Sequence, residues 1–245
     1  MAPAFLMFLL VLWEAAVRLL MIEPWLLPAP SAILRALGEG GPLFAQHTAV
    51  TLYESLLGFL LAVVLAFALA FAMDALPLVR RALYPLLVAS QTVPIISVAP
   101  LFLIWFGYGL LPKVLVAVLV CFFPVAVSLL DGLAGVDGEL IDLLRSMGAS
   151  RLTQLRLVKL PAALPALFSG LKIAATYSIM GAVIGEWLGA QAGLGYYMTL
   201  SQRSFATARV FAGIGIITLL SLAVFKVIEL LEHRLMPWLR LRSEE

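Results

Sequence analysis

Between Arg81 and Lys113 the chain runs for 31 residues without a charged side chain. In water such a run would need a core covering it on every side. In a bilayer, about 20 apolar residues cross roughly 30 Å of hydrocarbon as one helix. The pattern recurs: apolar stretches lie at about 4–22, 50–73, 82–106, 112–130, 162–187 and 208–231. Only 12% of the residues are charged, against about 25% in ordinary soluble domains, too few to cover a water-facing surface. Backbone polar groups in lipid must pair within the structure, as helices or closed barrels. A barrel needs alternating strands of about ten residues, and none is present. The expected fold class is therefore all-α integral membrane, with six transmembrane helices in a single domain over residues 1–245.

The third run is too long for one straight span, and Pro85, Pro94 and Pro100 interrupt it. Proline removes a donor and bends a helix axis, so a kinked helix or a helix plus a re-entrant piece is expected there. The first run carries Glu14 and Arg18 and lacks a basic leader, which reads as a retained span rather than a signal peptide. Cytoplasmic loops carry the excess of Lys and Arg. With the N-terminus inside, Arg80, Arg81, Arg145, Arg151, Arg156, Lys159, Arg234, Arg240 and Arg242 face the cytoplasm, and Arg35, Lys113, Arg203 and Arg209 lie outside. Both termini are then cytoplasmic. In the first outer loop, Ser31 is expected to N-cap a short helix through Ala36, with Gly38 as its stop.

The basic island at 137–161 reads as two short helices with a hinge. Leu140, Ile141, Leu143, Leu144 and Met147 repeat at helical spacing. Asp137, Glu139 and Asp142 occupy the first turns, where the helix dipole favours anions. Gly148 ends that segment, Ser150 caps the next, and Pro161 opens a new span. One reading is an amphipathic linker lying on lipid headgroups. The other is a knob for the groove of another protein.

The spacing within this island resembles the EAA loop of ABC-importer permeases: E-A-A-x-x-x-G, nine residues, then I-x-L-P. Gly148 takes the glycine position, followed by Ala149, Ser150 and Arg151; Val158, Leu160 and Pro161 take the closing positions. Asp142, Leu143 and Leu144 stand at E-A-A, a departure by two leucines, with Arg145 next in the register. The stretches "QTVPIISVAPLFLIWFGYG" and "GEWLGAQAGLGYYM" resemble the nitrate, sulfonate and taurine branch, and most closely its thiamine-precursor (hydroxymethylpyrimidine) members. The resemblance implies a bacterial inner-membrane, non-enzymatic permease subunit working by alternating access as a homodimer. It further implies cytoplasmic ABC ATPase subunits, an extracytoplasmic solute-binding protein and surrounding lipid as partners. No G-x-x-x-x-G-K-[ST] loop occurs, so ATP would be bound by the partner and this chain would hold no cofactor. The alternative is a self-sufficient secondary transporter or channel, which would show midplane coupling groups in two related halves.

Charges within spans cost about 2.5–3.5 kcal/mol each on insertion scales, so each needs a reason. Glu14 with Arg18 and Lys226 with Glu229 are spaced to pair on one helix face. Lys172 is expected to snorkel, and Glu54 to sit at the outer edge of span two. Glu186, among Gly181, Gly185 and Gly189, is either a solvated end beside a packing face or a gate. Gln91, Thr92, Pro94 and Ser97, with Tyr177, Ser178 and Glu186, are candidate groups along a solute path. Cys121 lies alone in an apolar run, and His47 and His233 are too far apart for a shared metal. Nothing basic and aromatic suggests nucleic acid.

Overall fold

The computed structural model describes residues 2–237, and every regular element among them is helical. In chain order these are α1 (Ala2–Leu19), α2 (Pro30–Glu39), α3 (Gly41–Ala75), α4 (Pro77–Ser90), α5 (Ile95–Phe106) and α6 (Leu110–Ala134). Then follow α7 (Gly138–Ser146), α8 (Arg151–Gln154), a π-helical segment (Leu155–Lys159), α9 (Leu160–Trp187), α10 (Leu194–Arg203) and α11 (Thr207–Leu235). Arg240 and Arg242 lie outside the described residues.

Four helices are long and apolar enough to cross a bilayer: α3, α6, α11 and the continuous Arg151–Trp187 helix. The pair α4 and α5, bent by 100°, forms a broken span or a re-entrant loop. That bend is the break expected around Pro94, which sits in extended conformation as the N-cap of α5. Proline at that position also pushes the residue before it out of the helical region. The helix expected to begin at about 50 begins instead at Gly41, because the polar turn around His47 and Thr51 packs against α10 rather than ending the helix.

The α6 helix is central, with α3 and α9 packed on either side. Contact between α6 and α9 is antiparallel: a Cβ on Gly170 would meet Pro124 O at 2.6 Å, one on Gly181 would meet Ala117 Cα at 2.8 Å, and one on Gly185 would meet Lys113 Cα at 2.9 Å. Between them, the buried Cys121 donates from Sγ to Ala174 O at 3.2 Å. Small residues let helix backbones approach where lipid supplies no hydrophobic drive between helices. The expected packing face at Gly181 and Gly185 is therefore formed. By contrast α11 leaves Leu219, Leu222 and Val227 exposed, as a lipid-facing helix can.

Two expectations at the first loop are corrected. Ser31 does not cap α2; Ala29 holds that position and Pro30 opens the helix. The backbone N–H and hydroxyl of Ser31 instead donate to the two carboxylate oxygens of Glu14, at 3.0 and 2.8 Å. Glu14 also pairs with Arg18 at 2.6 Å, as the spacing predicts. A carboxylate from α1 thus satisfies an N-terminal donor of α2, the end where helices favour anions. The helix also passes Gly38 and stops at Gly40, whose N–H reaches Ala36 O at 3.0 Å.

Candidate functional site

The elbow between α6 and α9 is built as its sequence suggests. Asp137 caps α7 by accepting the Glu139 N–H at 2.9 Å. Gly148 has φ of +80°, with open space where a Cβ would go, a conformation L-residues adopt only at a penalty. Ser150 then caps α8, its hydroxyl accepting the Thr153 N–H at 3.2 Å. Pro161 does not open a separate span. The helix runs on from Arg151 through a π turn, in which the Leu160 N–H bonds to Leu155 O, five residues back. Because Pro161 has no N–H and its ring crowds the carbonyl four residues earlier, the wider π turn accommodates it without a break.

The elbow is fastened to the end of α3. Lys159 pairs with Asp74 at 2.7 Å and Arg151 Nη1 donates to Ala75 O at 3.4 Å, while within the elbow Gln154 Nε2 donates to Ala149 O at 2.9 Å. Behind it lies a cavity of about 370 Å³, lined by Phe71, Asp74, Ile141, Arg145, Arg151 and Lys159 among others. Outside it, Leu143, Met147 and Leu152 are 56%, 74% and 54% exposed. Asp142 and Arg145 pair at 2.9 Å beside them, both exposed. Apolar side chains gathered beside charges on a projecting helix pair form a surface suited to another protein. The Asp74 anchor was not foreseen; its only signal is a carboxylate closing a long uncharged run.

At the opposite end of the helices a second polar cluster ties four helices together. The buried Glu54 of α3 pairs with the partly buried Lys113 of α6. Glu186 of α9, only 1% exposed, accepts from the Thr51 hydroxyl at 2.7 Å and from the Gly195 N–H at 2.6 Å. The Leu194 N–H donates to Thr51 Oγ1 at 2.8 Å, and the Gly193 N–H to His47 Nδ1 at 3.1 Å. Three successive N–H groups at the start of α10, orphans of any helix, are thereby satisfied by side chains of α3 and α9. Glu54 is therefore buried in its ion pair, and Glu186 is not a solvated end residue. Their partners lie 59 and 135 residues away, beyond any local signal. Likewise Lys172 does not simply snorkel; it pairs with Glu232 of α11 at 2.8 Å. Lys226 and Glu229 do pair, on an exposed face.

The residues suggested for a solute path separate into two groups. Gln91, Thr92, Pro94 and Ser97 are exposed at the α4–α5 bend, and Tyr177 is 44% exposed on α9. Ser178 and Glu186 are buried in helix contacts, with the Ser178 hydroxyl donating to Ala175 O at 2.8 Å.

Residues 55–237 match the family described as "Binding-protein-dependent transport system inner membrane component". The formylaminopyrimidine transport permease protein ThiX of Halalkalibacterium halodurans is 40% identical over 235 residues, covering 96% of this chain and 94% of the relative. The taurine transport system permease protein TauC of Escherichia coli is 35% identical over 237 residues, covering 94% and 86%. Among solved structures, a chain of an amino acid ABC transporter with histidines superposes with a TM-score of 0.64 at 20% identity, covering 81% of this chain and 96% of that one. That last likeness is one of fold.

Proposed function

The chain belongs to the binding-protein-dependent transport system inner membrane components, the permease subunits of ATP-driven importers, and from that premise we propose how its parts divide the work. The elbow of α7 and α8 is the helix that cytoplasmic ATPase subunits grip. The single observation that carries this is the exposed Leu143–Met147–Leu152 patch, set on a turn fixed by Gly148 and braced to α3 through Lys159 and Asp74. Asp142, Arg145, Gly148, Ala149, Ser150 and Arg151 form or shape the contact. Val158, Leu160 and Pro161 join it, through the π turn, to the helix that must move. A self-sufficient transporter would have no use for such a patch in water.

With this elbow cytoplasmic, both termini are cytoplasmic and α1 is the sixth crossing. Two copies pair about a two-fold axis, the commonest symmetry for a homo-oligomer. The solute path follows the α4–α5 bend. Backbone that leaves the helical ladder at membrane depth is tolerated only beside protein or a water-filled space, and Gln91, Thr92, Pro94 and Ser97 bring polar groups to that break. We assign Tyr177, exposed on α9, to the same path, together with the buried Ser178 and Glu186. The solute is a small pyrimidine of the thiamine-precursor kind, supported by the 40% identity to the formylaminopyrimidine permease over 96% of the chain. ATP is bound by the partner, and an extracytoplasmic binding protein delivers the solute.

Gly148→Pro forbids the positive φ, and Arg151→Glu reverses a charge on the patch. Each is expected to leave membrane insertion intact while the ATPase subunit no longer co-purifies. Unchanged co-purification of both variants refutes the docking assignment. Uptake of labelled aminopyrimidine into vesicles holding the complete transporter, with sulfonates as competitors, tests the solute class; uptake of sulfonates alone refutes it.

A further inference from the structure

The cavity behind the elbow carries positive charge that its carboxylates do not balance. Arg145, Arg151 and Lys159 line it together with Asp74. Lys159 is paired with Asp74 at 2.7 Å. Arg145 is paired with Asp142 at 2.9 Å, but both partners are exposed and water screens their attraction. Arg151 forms no ion pair among the described residues. Its Nη1 reaches Ala75 O at 3.4 Å. A guanidinium has five N–H donors in a planar fork, so the others remain for a further acceptor.

Two arginines and a lysine lining one space suit a phosphate, whose oxygens match the guanidinium fork. The cavity of about 370 Å³ has room for far more than a bare phosphate, and Phe71, Ile141 and Leu155 give it an apolar wall. The ligand therefore carries an apolar portion beside its phosphate. The position of the cavity says of what kind. Ala75 and Pro77 line it at the end of α3, one of the helices able to cross a bilayer. Their chain neighbours Leu76 and Leu78 are 54% and 80% exposed. Leucines exposed where a span leaves the hydrocarbon are solvated by acyl chains, and headgroup phosphates lie at that boundary. Basic pockets between spans recur as sites for anionic headgroups.

We propose that the elbow cavity binds the headgroup phosphate of an anionic phospholipid, held by Arg151 with Arg145 and Lys159, its acyl chains running past Leu76 and Leu78. The phosphate answers the unbalanced cation. The lipid adds a tie between the elbow and the end of α3, beside the Lys159–Asp74 pair. No covalent bond changes.

The test places the full chain in micelles with equal amounts of phosphatidylglycerol and phosphatidylcholine of matched acyl chains. Native mass spectrometry counts the lipids each chain retains. The wild type is expected to retain one phosphatidylglycerol in preference to phosphatidylcholine. Arg151→Gln should lower that preference about fivefold, the worth of one cation near a headgroup. The glutamine amide can still donate to Ala75 O, so the variant should melt with the wild type in phosphatidylcholine alone. Arg80→Gln with Arg81→Gln removes two exposed cations outside the cavity lining and should leave the retained lipid in place. Equal retention of the two lipids by the wild type overturns the proposal without reference to any variant. So does wild-type retention in Arg151→Gln, or a loss in the Arg80 and Arg81 double variant as large as that in Arg151→Gln. Displacement of the lipid by inorganic phosphate also overturns it, by assigning the cavity to a soluble anion. The chain is measured without an ATPase, so the docking assignment can fail while the lipid site holds, and the reverse.

Discussion

Packing is tight around Ala117, wholly buried on α6 between Gly58 of α3 and Gly181 of α9. A methyl added at Gly58 would collide chiefly with the Ala117 methyl, with Val114 O at 3.2 Å as its next neighbour. A methyl added at Gly181 would meet the Ala117 backbone, Cα at 2.8 Å, and the Ala117 methyl only at 3.4 Å. The two glycines therefore predict opposite outcomes when Ala117→Gly is added. Overpacking costs about 1–3 kcal/mol, which is the expected destabilisation for Gly58→Ala and for Gly181→Ala alone. Ala117→Gly alone should cost about 1 kcal/mol, the usual penalty of glycine within a helix. Combining Gly58→Ala with Ala117→Gly moves one methyl across the interface, so the pair should be less destabilising than the sum by about 1–3 kcal/mol. Gly181→Ala should receive no comparable rescue, because removing a side chain cannot move a Cα. Denaturant unfolding of the full chain in mixed micelles, followed by circular dichroism, measures all five variants. Equal rescue at both positions, or none at position 58, refutes the assignment of side-chain contact on one face and backbone contact on the other.

Lys172→Met should destabilise by about 3–5 kcal/mol, since it strands Glu232 in a partly buried site; Lys172→Met with Glu232→Leu should recover most of this in the same unfolding assay. Thr51→Val removes the hydroxyl that bridges Glu186 and the Leu194 N–H. It should cost about 1–3 kcal/mol through unsatisfied buried groups, and speed hydrogen exchange at Leu194 in particular, whereas a purely steric effect would not single out that amide.

Much of the elbow was legible because its signals are local. A glycine at 148 and a capping serine at 150 each act within three residues of where they stand, whereas Asp137, expected in the first turn of α7, is its N-cap instead. The bend at Pro94 was legible for the same reason. Ser31 misled because a serine before a helix is a good cap in isolation; Pro30 moved the helix start two residues earlier, and a carboxylate on α1 took the serine. Pro161 misled because a π turn let one helix run through it.

The sequence by itself determined that the chain lives in lipid, crosses it several times as helices, and carries a charged hinge that lipid cannot hold. Those conclusions follow from run length, charge density and short-range backbone preference. Only the tertiary structure decided which charges meet: Glu54 with Lys113, Lys172 with Glu232, Asp74 with Lys159, and Glu186 with the start of α10. Helices that are apolar nearly all round carry no stripe to say which face turns inward. Rotation and depth are instead set by where small residues let backbones close up, and those contacts choose the partner of each buried charge.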